Sequence, residues 1–235
     1  MTARKVIFGW RRPDLALRKL RGLEVMEISL DEIGRYLGSQ PTIVEAGAAQ
    51  GNDTVRLAAR WPTGLVHAFE PVPAAYDAVV QRVAGLANVR TYQLALSDHV
   101  GTAAMHVSSH PDGGFRPDSS SLLTPTGHVA EFPEVAFEQV VDVPVTTLDE
   151  WAAREGVDRV DFLWLDLQGM ELRALKASPR VLGSATAICL EVMRTELYAG
   201  HPLYAELLDW MKGQGFRVAI DRVGITFGNV LFVRP

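Results

Sequence analysis

Four short apolar runs in this chain each end directly in an acid: Thr42-Ile43-Val44 in Glu45, Leu65 to Phe69 in Glu70, Val160 to Leu165 in Asp166, and Thr186 to Leu190 in Glu191. Runs of this length predict buried strands. After the first run come Gly47 and Gly51, then a helical face of Val55, Leu57, Ala58 and Ala59, with Asn52 or Asp53 as the expected N-cap. After the second comes Ala74 to Val83, where Tyr76, Val79, Val80 and Val83 share a face, and then a third strand over Val89 to Leu96. Strand, helix, strand, helix, strand requires a parallel sheet with right-handed crossovers. Such a sheet puts the carboxyl ends of its strands on one rim, where open α/β sheets bind ligands. Glu45, Glu70, Asp166 and Glu191 are therefore expected along that rim, with Asp98 just past the third strand.

The remaining segments complete an α/β pattern. Ser29 and Glu32 form a capping box that opens a helix over Asp31 to Leu37, ending at Gly38. The rhythm then breaks after Ser97. Thr102 to Val107 and Phe137 to Val145 are strand-like, whereas Ser108 to Pro133 is rich in Ser, Pro, Gly and His and has no helical period. Residues 99–146 are expected to be inserted strands with a long loop, placed to serve as a lid over an acceptor. Thr147 and Glu150 form a second capping box, for a helix through Ala153. Helices follow over Met170 to Val181 and Pro202 to Gln214, the latter stopping at Gly215. Phe216 to Ile220 and Asn229 to Val233 are strands whose short link forces an antiparallel hairpin. At 235 residues the pattern fits one domain, 1–235.

Charge and cysteine content bound the partners and the compartment. A net charge of −5 supplies no field for a nucleic-acid polymer, and no stretch has the length of a membrane span. The single cysteine, Cys189, lies in an apolar run and is expected to be a core thiol in a reducing, cytoplasmic setting. Residues 1–38 are expected to form a basic arm and a helix. Arg4, Lys5, Arg11, Arg12, Arg18, Lys19 and Arg21 face only Asp14 in the first 23 positions. A solvated helix face accounts for them best, and the alternative is an arm that meets an anionic substrate or the second subunit of a homodimer. Arg11-Arg12 is not followed by the apolar core of an export signal.

The glycine turn indicates what sits on the rim. It reads Gly-Ala-Ala-Gln-Gly, without the G-x-G-x-x-G spacing that brings a helix N-terminus against a pyrophosphate, and no P-loop lysine follows. Glu70, about twenty residues beyond the turn, is placed to accept hydrogen bonds from both hydroxyls of a ribose. Glu45 and Asp53 flank the turn with negative charge. They suit the ammonium and sulfonium of S-adenosylmethionine and would repel a dinucleotide.

The segments VEAGAAQGNDT, HAFEPVP, YQLALSD, VTTLDEW and DLQGMELRALK, in this order, resemble the FkbM-type S-adenosylmethionine-dependent methyltransferases from about Thr42 to about Glu191. The resemblance implies a class I, Rossmann-like fold: α/β, with a mostly parallel seven-stranded sheet, a C-terminal antiparallel hairpin and helices on both faces. It implies S-adenosyl-L-methionine as cofactor and S-adenosyl-L-homocysteine as product. Cofactor contacts are expected from Gly47, Ala48, Gly51, Thr54, Glu70, Pro71 and the segment Leu96, Ser97 and Asp98 near the adenine, beside Glu45, Asp53 and Asp166. Ser119 to Leu122 is similar to the family's serine tract. The chain departs from the family pattern at Ala49 and Gln93, where Asn is common, and at Gln168, where Glu is usual. The implied acceptor is a small molecule with a free hydroxyl, a sugar or natural product.

Methyl transfer to a hydroxyl needs an aligned nucleophile and a group to take its proton. Asp166 is the first candidate to orient the acceptor or act as base, and it is equally suited to N-cap the helix after it. Glu191 ends the neighbouring strand and could share the site. No metal is expected, since two acids without a third ligand make a thin cation site. Of the histidines, His110, His128 and His201 could reach the acceptor, and His201, after the fifth strand, ranks first. His67, His106, Trp151 and Trp164 are expected to be structural, and Phe115 and Phe132 to be lid aromatics tucked inward. Two rivals are a nicotinamide-dependent oxidoreductase and a non-catalytic module that binds the same cofactor.

Overall fold

The structure is a computed structural model that describes residues 27–235. The basic N-terminal segment and its arginine pair lie outside the described residues.

The core is a seven-stranded sheet in the order β3-β2-β1-β7-β8-β10-β9. Its strands are β1 (Thr42–Ala46), β2 (Leu65–Phe69), β3 (Val89–Tyr92), β7 (Phe162–Leu165), β8 (Ala187–Met193), β9 (Arg217–Val223) and β10 (Phe227–Val233). The pairs β1–β2, β2–β3, β1–β7 and β7–β8 are parallel. β10 lies antiparallel between β8 and β9. The terminal hairpin is longer than its sequence outline, with only positions 224–226 between its strands.

Strands buried on both faces explain the apolar runs. Val44, Leu163, Ile188 and Val230 point to one face, packed on Trp151 of α5 (Leu148–Arg154), Leu172 of α6 (Glu171–Lys176) and Leu207 of α8 (Tyr204–Gly213). Ile43, Phe162, Cys189 and Leu231 point to the other, against Leu57 of α2 (Asn52–Arg60) and Val79 of α3 (Pro73–Arg82). The helices thus cover both faces, and Cys189 is a buried core thiol. His67 packs against Trp151 and Tyr92, and burial lowers its pKa to about 4, as a structural histidine requires. The first capping box forms as expected, opening α1 (Leu30–Ile33) and a following 3-10 turn.

Three expectations need correction. Val89 to Leu96 is two strands: after β3 the chain leaves the sheet, and β4 (Ala95–Leu96) pairs in parallel with β6 (Ala136–Thr146). β6 in turn pairs antiparallel with β5 (Gly101–Ser109), so the excursion builds a second, three-stranded sheet. Met170 to Val181 is two helices, α6 and α7 (Pro179–Ser184), because Pro179 lacks the N–H to continue a helix and restricts Ser178 before it. The segment 108–133 is also less featureless than its composition implied. It contains a 3-10 turn at Pro117–Ser119 and α4 (His128–Glu131), and His106 bridges to Ser121.

Among the described residues, no helix is long and apolar enough to cross a membrane.

Candidate active site

Strand order reverses between β1 and β7. There, at the carboxyl ends, lies a cleft of about 560 Å³. One wall is the glycine turn with Glu70 and Pro71, and Leu94, Ala95 and Leu96 form an apolar strip. Asp166, Gln168 and Glu191 line it at the β7 and β8 ends, and the inserted segment supplies the opposite wall, including Arg116, Ser119 and Phe132.

Backbone geometry builds the first wall. Gly47 has φ 87°, and a Cβ there would overlap the Asp166 carbonyl oxygen, so the turn packs directly on the end of β7. The Gly47 and Ala48 amides both donate to the Phe69 carbonyl, at 3.1 and 3.0 Å. Ala49 is left-handed at φ 49° and donates its N–H to Glu70 Oε2 at 2.8 Å. Asn tolerates this conformation better than Ala, which gives a physical meaning to the departure at this position. The expected N-cap at Asn52 or Asp53 is wrong: Gly51, at φ 76°, holds that position without a side-chain bond, and Asn52 already belongs to α2.

Glu70 is the junction of this wall. Its Oε1 accepts from the Val72 amide at 2.8 Å and its Oε2 from Ala49. Burial raises its pKa to about 7, against those two amides. Each oxygen has a second lone pair, so the carboxylate still has acceptor capacity for two adjacent hydroxyls. Glu45 is buried but faces away from the cleft, beside Thr54 under α2, because alternate residues of a strand point to opposite faces. Burial raises its pKa to about 8. The neighbouring Thr54 hydroxyl opposes that rise.

At the β7 end, Gln168 holds the two candidate catalytic acids together. Its Nε2 donates to Asp166 Oδ1 at 2.6 Å and to Glu191 Oε2 at 2.7 Å. The Tyr198 hydroxyl lies 2.7 Å from Gln168 Oε1 and 2.8 Å from the Ser119 carbonyl, and it donates to one or the other. Donation to Oε1 fixes the amide so that both of its protons face the acids. Gln168 is itself left-handed, at φ 51°, and its carbonyl accepts from Ser121 Oγ at 2.8 Å. Burial raises Asp166 to about 6, and the Gln168 hydrogen bond opposes it.

Asp166 does not cap the following helix. Met170 is the N-cap of α6, and the turn is held by Glu171, which accepts from the Leu167 amide at 2.7 Å and the Gly169 amide at 3.1 Å. Burial raises Glu171 to about 8. His201 is not brought to the cleft: its Nε2 receives the Leu197 amide at 3.0 Å and its Nδ1 lies 2.9 Å from the Pro202 carbonyl, so both ring nitrogens are committed to backbone. His110 and His128 do line it.

The structure brings together Gly47, Ala48, Asp53, Glu70, Pro71, Leu96, Asp166 and Glu191. Gly51, Thr54 and Glu45 support the turn from behind. Ser97 is buried next to Asp98, and Asp98 points to solvent, paired with His99 at 2.8 Å. Phe132 is tucked inward, but Phe115 is half exposed at the cleft. Sequence reasoning missed Arg116, Asp118 and Tyr198. The serine tract beside the first two was the available signal, while Tyr198 had none, since its partners are remote in sequence.

A family model described as "Methyltransferase FkbM domain" matches residues 45–218. The chain belongs to the FkbM methyltransferase family. A 2-O-methyltransferase, NoeI, of Sinorhizobium fredii is 28% identical over 72% of this chain and 70% of its own length. Methyltransferase sdnD of Sordaria araneosa is 28% identical over 60% of the chain and 61% of its own. Among solved structures, a fibrillarin/Nop5p complex has a TM-score of 0.51 at 15% identity, covering 94% of this chain and 81% of that one. Fibrillarin of Methanococcus jannaschii gives 0.50 at 12%, covering 92% and 74%. These two structures establish that the FkbM chain shares their fold.

Proposed function

We propose that this FkbM methyltransferase uses S-adenosyl-L-methionine to methylate a hydroxyl on a small sugar or natural product. The observation that carries the cofactor is Glu70, a buried carboxylate in the cleft with free acceptor capacity for a ribose diol, set beside a turn with no phosphate cradle. The chemistry of the lining fits that group: apolar Leu94 to Leu96 for a base, Glu70 for the ribose, and acids for a cationic amino-acid end. When bound, S-adenosylmethionine supplies an electrophilic methyl on a sulfonium.

The chain's own residues do the rest. The turn from Gly47 to Ala49 and the Asp166 end of β7 orient the two reactants across the strand-order switch point. Asp166 accepts the acceptor's proton; burial raises its pKa and makes it more basic than an exposed aspartate. Gln168 holds Asp166 and Glu191 together and orients them. The inserted residues 99–146 form the acceptor's wall and keep water from the reacting atoms. The relative named as a 2-O-methyltransferase supports a hydroxyl acceptor.

Calorimetric titration tests the reading: S-adenosylhomocysteine should bind and NAD should not. If neither binds, the cofactor assignment is wrong. Release of S-adenosylhomocysteine in a panel of hydroxylated acceptors then tests catalysis.

A further inference from the structure

Arg116 stands on the inserted wall of the cleft and is only 8% exposed. Its position is fixed by the backbone. Ser108 Oγ donates to its carbonyl at 2.7 Å and accepts the Ser119 amide at 3.0 Å, and Pro117 follows it in the 3-10 turn. Yet its guanidinium makes no hydrogen bond or ion pair with any described residue. Asp118, two residues on, is exposed and forms no ion pair with it.

Arg116 is also the one arginine or lysine among the described residues that line the cleft, facing a lining that includes Asp53, Glu70, Asp118, Asp166 and Glu191. A buried cation without a counter-ion is costly, and the cost is removed when a ligand brings the opposite charge. The planar guanidinium fork matches carboxylates and phosphates. The acids suit a cationic cofactor and would repel an anionic acceptor, unless a cation stands where the acceptor's charge falls.

We propose that Arg116 recognises a carboxylate or phosphate carried by the methyl acceptor, which makes the acceptor an anionic hydroxylated molecule. This rests on the methyltransferase reading above. The same chemistry could come from the amino-acid carboxylate of the cofactor, so the two sources are tested separately. In one arm, S-adenosylhomocysteine is titrated into wild type, Arg116→Gln and Arg116→Lys. In the other, inorganic phosphate is titrated into each protein, with and without S-adenosylhomocysteine, at ionic strength held constant with chloride, and the thermal midpoint is read.

The expected result is unchanged product affinity in all three proteins, with phosphate binding weakened about tenfold or more in Arg116→Gln and largely kept in Arg116→Lys. An equal phosphate response in wild type and Arg116→Gln, or none in wild type, overturns the proposal. So does a loss of S-adenosylhomocysteine affinity in Arg116→Gln, which would assign Arg116 to the cofactor carboxylate. Failure of wild type to bind S-adenosylhomocysteine counts against the methyl-donor reading alone, because the phosphate arm is also read without it.

Discussion

The two walls of the cleft are built by different means. The wall from Gly47 to Pro71 is made by backbone: positive φ at Gly47, Ala49 and Gly51, amides turned onto the Phe69 carbonyl, and one side chain, Glu70, bound to two further amides. The wall from Arg116 to Phe132 combines backbone pairs, His106 with Ser121 and Thr126 and His128 with Leu197, with side-chain ties: Ser108 reaches the nearby Arg116 carbonyl, and Ser121 and Tyr198 reach carbonyls of residues distant in sequence. Local backbone geometry is rigid and suits the single cofactor proposed for this wall. Side-chain contacts can be exchanged without rebuilding the sheet, and they suit an acceptor that varies.

The largest expected effect tests the rigid wall. Gly47→Ala would force a Cβ into the Asp166 carbonyl at a left-handed φ, costing about 3 kcal/mol of stability and abolishing product binding. A variant with wild-type thermal midpoint and affinity would show that the turn is not fixed by this packing. Next, Glu70→Ala removes two charge-assisted bonds to a ribose. Calorimetry should show S-adenosylhomocysteine affinity falling by about 2 kcal/mol, roughly 30-fold. Unchanged affinity would remove the ribose assignment.

The junction of the walls responds to pH. Asp166 faces Asp53, Asp118, Glu191 and Glu171, with Tyr198 and the Gln168 amide beside it. Gln168→Glu replaces two donors by a further carboxyl, which disfavours ionised Asp166 and raises its pKa above the present value near 6. Activity that needs the ionised form is present above that pKa and lost below it. The acidic limb of the pH–rate profile should therefore move up by about one unit. A limb that stays in place would show that the amide does not set the charge of the pair. The smallest effect tests residual strain in the first wall: Ala49→Gly relieves the left-handed alanine and should raise stability by about 0.5 kcal/mol in thermal unfolding.

What could be seen in the sequence follows from how local each feature is. Strands β1, β2, β7 and β8, the acids just past β2 and β7, the crossover order and the terminal hairpin were legible, because burial on both faces of a parallel sheet writes apolar runs that end at the rim; β1 and β8 instead run on past Glu45 and Glu191, to Ala46 and Met193. Glu70 was legible for the same reason: its place follows from the end of a strand and its distance from the turn. The break at Pro179 was also legible in principle, as a residue that cannot continue a helix.

Only the tertiary structure decided which face a strand-end acid takes. It turned Glu45 away from the cleft and Glu70 into it, because Glu45 is still held inside β1 whereas Glu70 lies just past the end of β2. It took His201 out of contention by giving both of its nitrogens to nearby backbone. It brought Tyr198, Gln168, Asp166 and Glu191 into one network, and left Arg116 buried without a counter-ion among the described residues. Those contacts join segments tens of residues apart, and no local pattern records such distances. The sequence alone determined the sheet, the rim and the glycine turn on one side of the site; the packing of remote segments decided which charges meet there.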